Sequence, residues 1–161
     1  LHLDFRRQRQ MCIRDSILII DTGATLNGYF SDFDRNFGFG RIHKQALNAY
    51  NKLWEATERT LEIIKPGTSC SEIYSKLSQS LTTNSVSVGR MGHGLGLQLT
   101  EPPSIMKKDK TLLEKNMIIT LEPSIEMDDD KILVQEENLL VTENGYKLLS
   151  TRTPENLPII N

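Results

Sequence analysis

Five polar residues sit where the chain around them is apolar or glycine-rich: Asp21, Asp32, His93, Glu122 and Glu136. Asp21 ends the run Ser16-Ile-Leu-Ile-Ile, and Asp32 follows eleven residues on. Between them lies Asn27-Gly28, the dipeptide best suited to a two-residue hairpin turn. With those two residues as the turn, Leu26 faces Tyr29, Gly23 faces Asp32 and Asp21 faces Asp34. Strand side chains alternate, so Asp21 and Gly23 share a face. Asp21 and Asp32 then become diagonal neighbours, roughly 7–8 Å apart at the backbone. Two carboxylates so placed repel unless positive charge lies between them, and Gly23 leaves room for it. Four carboxylates and one imidazole form a hard-oxygen set with a single nitrogen. That set suits Mn²⁺, Co²⁺, Fe²⁺ or Zn²⁺ rather than a thiolate-bound structural zinc. Four negative charges balance two divalent ions, so the charge count favours a dinuclear site.

The elements that must carry these residues follow from periodicity. A hairpin of about 16–25 and 29–37 ends at Gly38-Phe39-Gly40. From His43 to Ile64, apolar residues recur every three to four positions, as on an amphipathic helix that Lys65-Pro66-Gly67 stops. Ser69-x-x-Glu72 reads as a capping box opening a second helix over about 70–82, with Cys70 at its start as a structural cysteine. His93 lies in Gly89-Arg-Met-Gly-His-Gly-Leu-Gly96, which lacks both the phosphate-loop ending and the dinucleotide-binding spacing. Pro102-Pro103 closes that segment. Glu122 ends the strand Asn116–Glu122. Glu136 lies in a return strand, Lys131–Thr142, after a turn at Asp128–Asp130 that lacks the spacing of a calcium loop. A last strand runs over Tyr146–Ser150, and Pro154–Asn161 is a tail. Antiparallel hairpins against two helices make the class α+β.

Composition bounds the rest. The 161 residues carry a net charge of -2 and only two cysteines, Cys12 and Cys70. No nucleic acid or membrane partner is expected, no run approaches the roughly 20 apolar residues of a membrane span, and a reducing compartment, the cytoplasm, is the expected location. Residues 1–16 show neither strand nor helix period and no signal-peptide core. The string Arg9-Gln-Met-Cys-Ile-Arg-Asp15 resembles translated adapter DNA, so 1–16 is set apart as a non-native leader, and 17–161 is expected to be a partial catalytic domain.

Four motifs then fall in order: Asp-x-Gly with Gly-Tyr-x-x-Asp-x-x-Arg at 21–35, Gly-His-Gly-x-Gly-Leu at 92–97, Thr-Leu-Glu-Pro at 120–123, and Glu-Glu-Asn-x-x-Val-Thr-Glu-x-Gly at 136–145. Together they resemble the pita-bread metallopeptidases, a family of Xaa-Pro aminopeptidases, prolidases, methionine aminopeptidases and creatinase. The resemblance is closest to the Xaa-Pro peptidases. It implies a curved antiparallel sheet with flanking helices, of which this chain carries the C-terminal part. It also implies that Asp21 holds one metal, that His93 and Glu122 hold a second, and that Asp32 and Glu136 bridge. Two divalent ions, manganese foremost, are the implied cofactors. The implied reaction is hydrolysis of the Xaa-Pro amide bond of a small peptide, with Glu122 as general acid/base, and the full-length protein is expected to be a homodimer. Arg35 and Thr100 are substrate-pocket candidates. Position 100 departs from the pattern, because the active peptidases carry a His there. That departure keeps open a non-peptide C–N hydrolase of the creatinase or ectoine-hydrolase kind. A metal-free binding module is a third reading, against which all five implied ligand residues are present.

Overall fold

The computed structural model describes residues 16–81, 89–127 and 131–160. The turn expected at 128–130 and residues 1–15 of the expected leader lie outside these ranges. Strands β1 (Ser16–Leu26) and β2 (Tyr29–Phe39) form the expected hairpin. Asn27 and Gly28 both take positive φ, 53° and 87°, as the tight turn demands. The register pairs Leu26 with Tyr29, Gly23 with Asp32 and Asp21 with Asp34, as the turn dipeptide predicts. The strand takes in Ser16, which pairs with Phe39.

Helix α1 (Lys44–Leu61) follows, capped by His43, whose side chain accepts from the Gln45 amide. Its buried stripe of Ala49, Tyr50, Leu53, Ala56, Thr60 and Leu61 keeps the three-to-four spacing that makes one helical face. Helix α2 (Cys70–Ser80) opens with the full capping box: the Ser69 side chain accepts from the Glu72 amide, and the Glu72 carboxylate accepts from the Ser69 amide. Cys70 is buried in the core, where burial pushes its thiol up to about 11, so it is an inert packing residue.

The remaining strands are short. β3 (His93–Gly94), β4 (Glu101–Ser104), β5 (Ile118–Leu121), β8 (Glu137–Val141) and β9 (Tyr146–Leu148) make a five-stranded sheet in the order β4-β3-β5-β8-β9. β6 (Ser124–Met127) and β7 (Lys131–Val134) form a separate two-stranded ladder packed on α1. Ile119, Leu121, Leu133, Leu139 and Val141 bury against Leu53, Ile64, Ile73 and Leu77 in one core.

Three sequence expectations change here. The return strand is not continuous: it breaks at Gln135-Glu136, because β7 pairs with β6 while β8 pairs with β5, and the chain must change ladders between them. The glycine-rich segment and Pro102-Pro103, to which the sequence pattern assigns no element, contribute strands β3 and β4. The tail ends in β10 (Ile159–Ile160), which lies parallel to β2, so the first sheet is mixed rather than wholly antiparallel.

Candidate metal centre

The hairpin fixes the first two ligands. Asp21 is exposed and Asp32 is partly buried on the same face, and the glycine between them matters: a Cβ at Gly23 would collide with the Ser31 carbonyl across the ladder. The Asp32 main chain is pinned from the second sheet, where Asn138 Nδ2 donates to its carbonyl at 2.6 Å.

Glu136 arrives from the break between β7 and β8. A residue released from a ladder can turn its side chain away from the strand alternation, and Glu136 turns toward the hairpin. Carboxylate oxygens of Asp21, Asp32 and Glu136 lie within 4.8 Å of one another. Glu136 is only 3% exposed, and its Oε1 has no hydrogen-bond partner among the described residues. Burial pushes it up to about 8, and the charges of Asp32, Glu122, Asp34 and Asp21 push the same way.

His93 enters from the other side. It is 1% exposed, and its amide donates to Thr120 Oγ1 at 3.1 Å. Its Nδ1 stands 2.8 Å from the Gly94 carbonyl. A carbonyl only accepts, so Nδ1 carries the proton, and in the neutral ring Nε2 presents a bare lone pair. That lone pair faces Asp32 Oδ2 and Glu122 Oε1, each at 3.7 Å. A lone pair aimed at two carboxylates, beyond hydrogen-bond range of both, is the arrangement a cation between them would satisfy. Glu122, just after β5, donates its amide to the Met91 carbonyl, and its Oε1 accepts from Arg90 Nε at 3.2 Å. Burial raises Glu122, with His93 and then Arg90 opposing. Burial and the Asp21 charge raise Asp32.

The five candidate ligands lie near one another: Asp21, Asp32 and Glu136 form one mutually close group, and His93 faces both Asp32 and Glu122. Asp32 takes part in both arrangements. The donor set fits divalent metal ions, since four carboxylates raised or crowded by their neighbours and one bare imidazole nitrogen converge with few internal partners.

The two substrate-pocket candidates lie in different settings. Thr100 is exposed, at the end of the bend that follows Gly96. That bend is tied to the hairpin tip, where the Phe30 amide donates to the Gly96 carbonyl at 2.8 Å. Arg35 instead has a side chain only 13% exposed, and its guanidinium grips main-chain carbonyls and a serine. Sequence reasoning missed Arg90, Thr120 and Asn138. Arg90 stood three residues before His93, and Thr120 was the one hydroxyl in an apolar strand; both were visible as oddities, but their partners lie far along the chain.

These features define a carboxylate-rich candidate metal site on a partial α+β domain. The family model of metallopeptidase family M24 matches residues 2–144, including 2–16, expected to be a non-native leader, and the chain belongs to that family. It is 33% identical over 147 residues to the Xaa-Pro dipeptidase of Pyrococcus furiosus, a match that takes in 89% of this chain and 42% of that protein. The structure is similar to the prolidase of Pyrococcus furiosus, with a TM-score of 0.81 and 32% identity over 88% of this chain and 43% of that one. It is similar also to an X-Pro aminopeptidase from Thermotoga maritima, with a TM-score of 0.83 and 26% identity over 91% of this chain and 42% of that one. The fold is accordingly the pita-bread fold, and the chain spans about two fifths of the length of these relatives.

Proposed function

We propose that the full protein is a dinuclear-metal-dependent hydrolase that cleaves the Xaa-Pro amide bond of small peptides. The observation that carries this is the convergence on Asp32: its carboxylate lies with Asp21 and Glu136 on one side and faces His93 on the other. A carboxylate shared by two ligand groups is what two adjacent ions would require, and Asp21, Asp32, His93, Glu122 and Glu136 would hold them. Manganese is the preferred ion, with cobalt, zinc or iron compatible with the same donors. Two such ions supply Lewis acidity and draw the pKa of an attacking water toward neutrality.

The chain's own residues do the rest. The Nδ1–H of His93 on the Gly94 carbonyl keeps Nε2 free as a ligand. Arg90 holds Glu122 Oε1, which leaves Oε2 to take the water proton and pass it to the leaving nitrogen. Burial raises Glu122, which makes it a better base than a solvated glutamate. The protein acts in this reading as a cytoplasmic homodimer; the free, buried Cys70 suits a reducing compartment.

A second reading is favoured by one residue. Thr100 stands where the Xaa-Pro peptidases that the sequence resembles carry a His, and it is exposed. A non-peptide C–N hydrolase fits that change. Both readings are tested by elemental analysis of the purified full protein and kcat/KM on Xaa-Pro dipeptides beside creatine-like and ectoine-like amides. Two ions per chain with peptide turnover supports the first. Turnover of the non-peptide amides alone replaces it with the second.

A further inference from the structure

Glu137 follows the ligand Glu136 directly and is 1% exposed. Its Oε1 accepts from Arg152 Nη1 at 2.9 Å and from the Thr153 amide at 2.8 Å, and its Oε2 lies 3.6 Å from Arg35 Nη2. A buried carboxylate is costly unless it is paired and hydrogen-bonded. Here two arginines and a backbone amide converge on one.

Arg35 reaches further. Its Nη1 donates to the carbonyl of Glu136 at 2.9 Å and to that of Asp34. Its Nη2 donates to Ser150 Oγ at 3.2 Å and to the Thr151 carbonyl. One planar fork thus joins β2, the break that carries Glu136, and the segment after β9. A lysine's single ammonium could not span those acceptors. On the far side of Glu136, Gln135 donates through Nε2 to the Tyr50 carbonyl at 3.0 Å and through its amide to the Pro123 carbonyl at 3.3 Å. Both neighbours of Glu136 are therefore anchored, whereas Glu136 Oε1 has no partner among the described residues.

We infer that Arg35 and Glu137 are positioning residues for Glu136, and that the segment Ser150–Thr153 completes the device by closing on both of them. This rests on the dinuclear reading above. Glu136 lies outside a β-ladder at a point where the chain changes sheets, so no strand geometry sets its direction. The Arg35 fork on its carbonyl and the Glu137 anchor beside it do so instead. A plain latch for the C-terminal segment would need no bond to Glu136, and that segment has other tethers: Tyr50 Oη donates to the Pro154 carbonyl at 2.7 Å, and Trp54 Nε1 to the Thr153 carbonyl at 3.0 Å.

The experiment compares Arg35→Ala, Arg35→Lys, Glu137→Gln and, as a tether control, Tyr50→Phe in the full protein. Calorimetric titration with Mn²⁺ gives affinity and stoichiometry, paramagnetic resonance gives the spin coupling of an ion pair, and melting of the metal-free protein gives stability. Arg35→Ala is expected to weaken the Asp21/Asp32/Glu136 ion about 10–100-fold and abolish the coupled signal, the usual cost of losing an outer-shell partner. Arg35→Lys and Glu137→Gln should fall between it and wild type. Tyr50→Phe should lower the melting temperature and leave Mn²⁺ affinity unchanged. If wild type binds two coupled ions and Arg35→Ala with Glu137→Gln does so equally well, the positioning role is overturned and the metal reading stands. Equal loss of affinity in Tyr50→Phe also overturns it, by reducing the network to a latch. A wild type that binds no Mn²⁺ overturns both.

Discussion

His93 Nε2 and Asp32 Oδ2 stand 3.7 Å apart, although one rides on the short strand β3 and the other on the hairpin β1–β2. Neither sheet alone would hold them so. The hairpin is tied on from two places near its tip: Phe30 donates to the Gly96 carbonyl, and Asn138 donates to the carbonyl of Asp32, two residues further along β2. Asp32 is thus the residue at which both ligand groups depend on one side chain. Asp32→Ala is expected to reduce bound metal from two ions per chain to near none, whereas Asp21→Ala should retain one. Elemental analysis after dialysis against micromolar Mn²⁺ separates the two. Two ions retained by Asp32→Ala would sink the bridging assignment.

The metal-free protein should lose stability as pH rises. Glu136 is pushed from 4.5 up to about 8, and Asp34 from 3.8 up to about 7, burial being the largest cause of each. Between the unfolded and folded values the native chain binds protons that the unfolded chain has released. The slope of stability with pH is then negative, so this contribution is fully present below the unfolded values and is lost as pH climbs through the folded ones. The melting temperature of metal-free protein is expected to fall between about pH 5 and pH 8, and Glu136→Gln should flatten that fall. Saturating Mn²⁺ reverses the dependence, because ligands must shed protons to bind it, so the stabilisation by metal should grow with pH. A metal-free melting curve that rises over this range would contradict the assignment.

What the sequence revealed, and what it hid, follows the range of the interactions. The hairpin register was legible because Asn27-Gly28 dictates a two-residue turn, and one turn fixes every pair along the ladder. The capping box at Ser69 and Glu72 was legible for the same reason: its partners are three residues apart. The break at Gln135-Glu136 was not, because Lys131–Thr142 reads as one β-rich run, and only the presence of two different partner strands splits it. The two-residue β10 has no periodicity to detect. Among the site residues, identity and order singled out the five candidate ligands, but the grip of Arg35 on Glu136 and of Arg90 on Glu122 spans distant parts of the chain and needed the structure.

Gly94 offers a test of how tightly the His93 strand is packed. A Cβ there would press into the backbone carbonyls of Pro102 and Glu101 in the neighbouring strand. Backbone cannot step aside as a side chain can, so β3 and β4 must separate. Gly94→Ala is expected to cost about 1–3 kcal/mol of stability, the usual range for overpacking, and to weaken Mn²⁺ binding by moving His93. Gly28→Ala is the contrast. Nothing lies within 4 Å of its Cβ, and only its φ of +87° penalises the change, so stability should drop while metal affinity holds. Denaturant melts with parallel Mn²⁺ titrations decide it: equal metal affinity in both variants would show that His93 tolerates a displaced β3.

Thr100 carries the last prediction. It is exposed at the end of the bend whose start, Gly96, is bonded to the hairpin tip beside the ligands. A threonine hydroxyl can donate one hydrogen bond but holds no charge near neutral pH. A His at the same place could be both donor and cation toward charge that develops on the substrate. Loss of one such donor commonly costs about 10²–10³ in rate. The full protein should therefore hydrolyse Xaa-Pro peptides slowly, and Thr100→His should raise kcat more than it lowers KM, because the added interaction strengthens in the transition state. The gain should follow the ionisation of the new imidazole across roughly pH 6–7, a signature that a mere change in packing would not give. Wild-type turnover already at the level of the His-bearing relatives would show that the substitution is silent. No gain in Thr100→His, with brisk turnover of a non-peptide amide by wild type, would mark the threonine as part of a different substrate pocket.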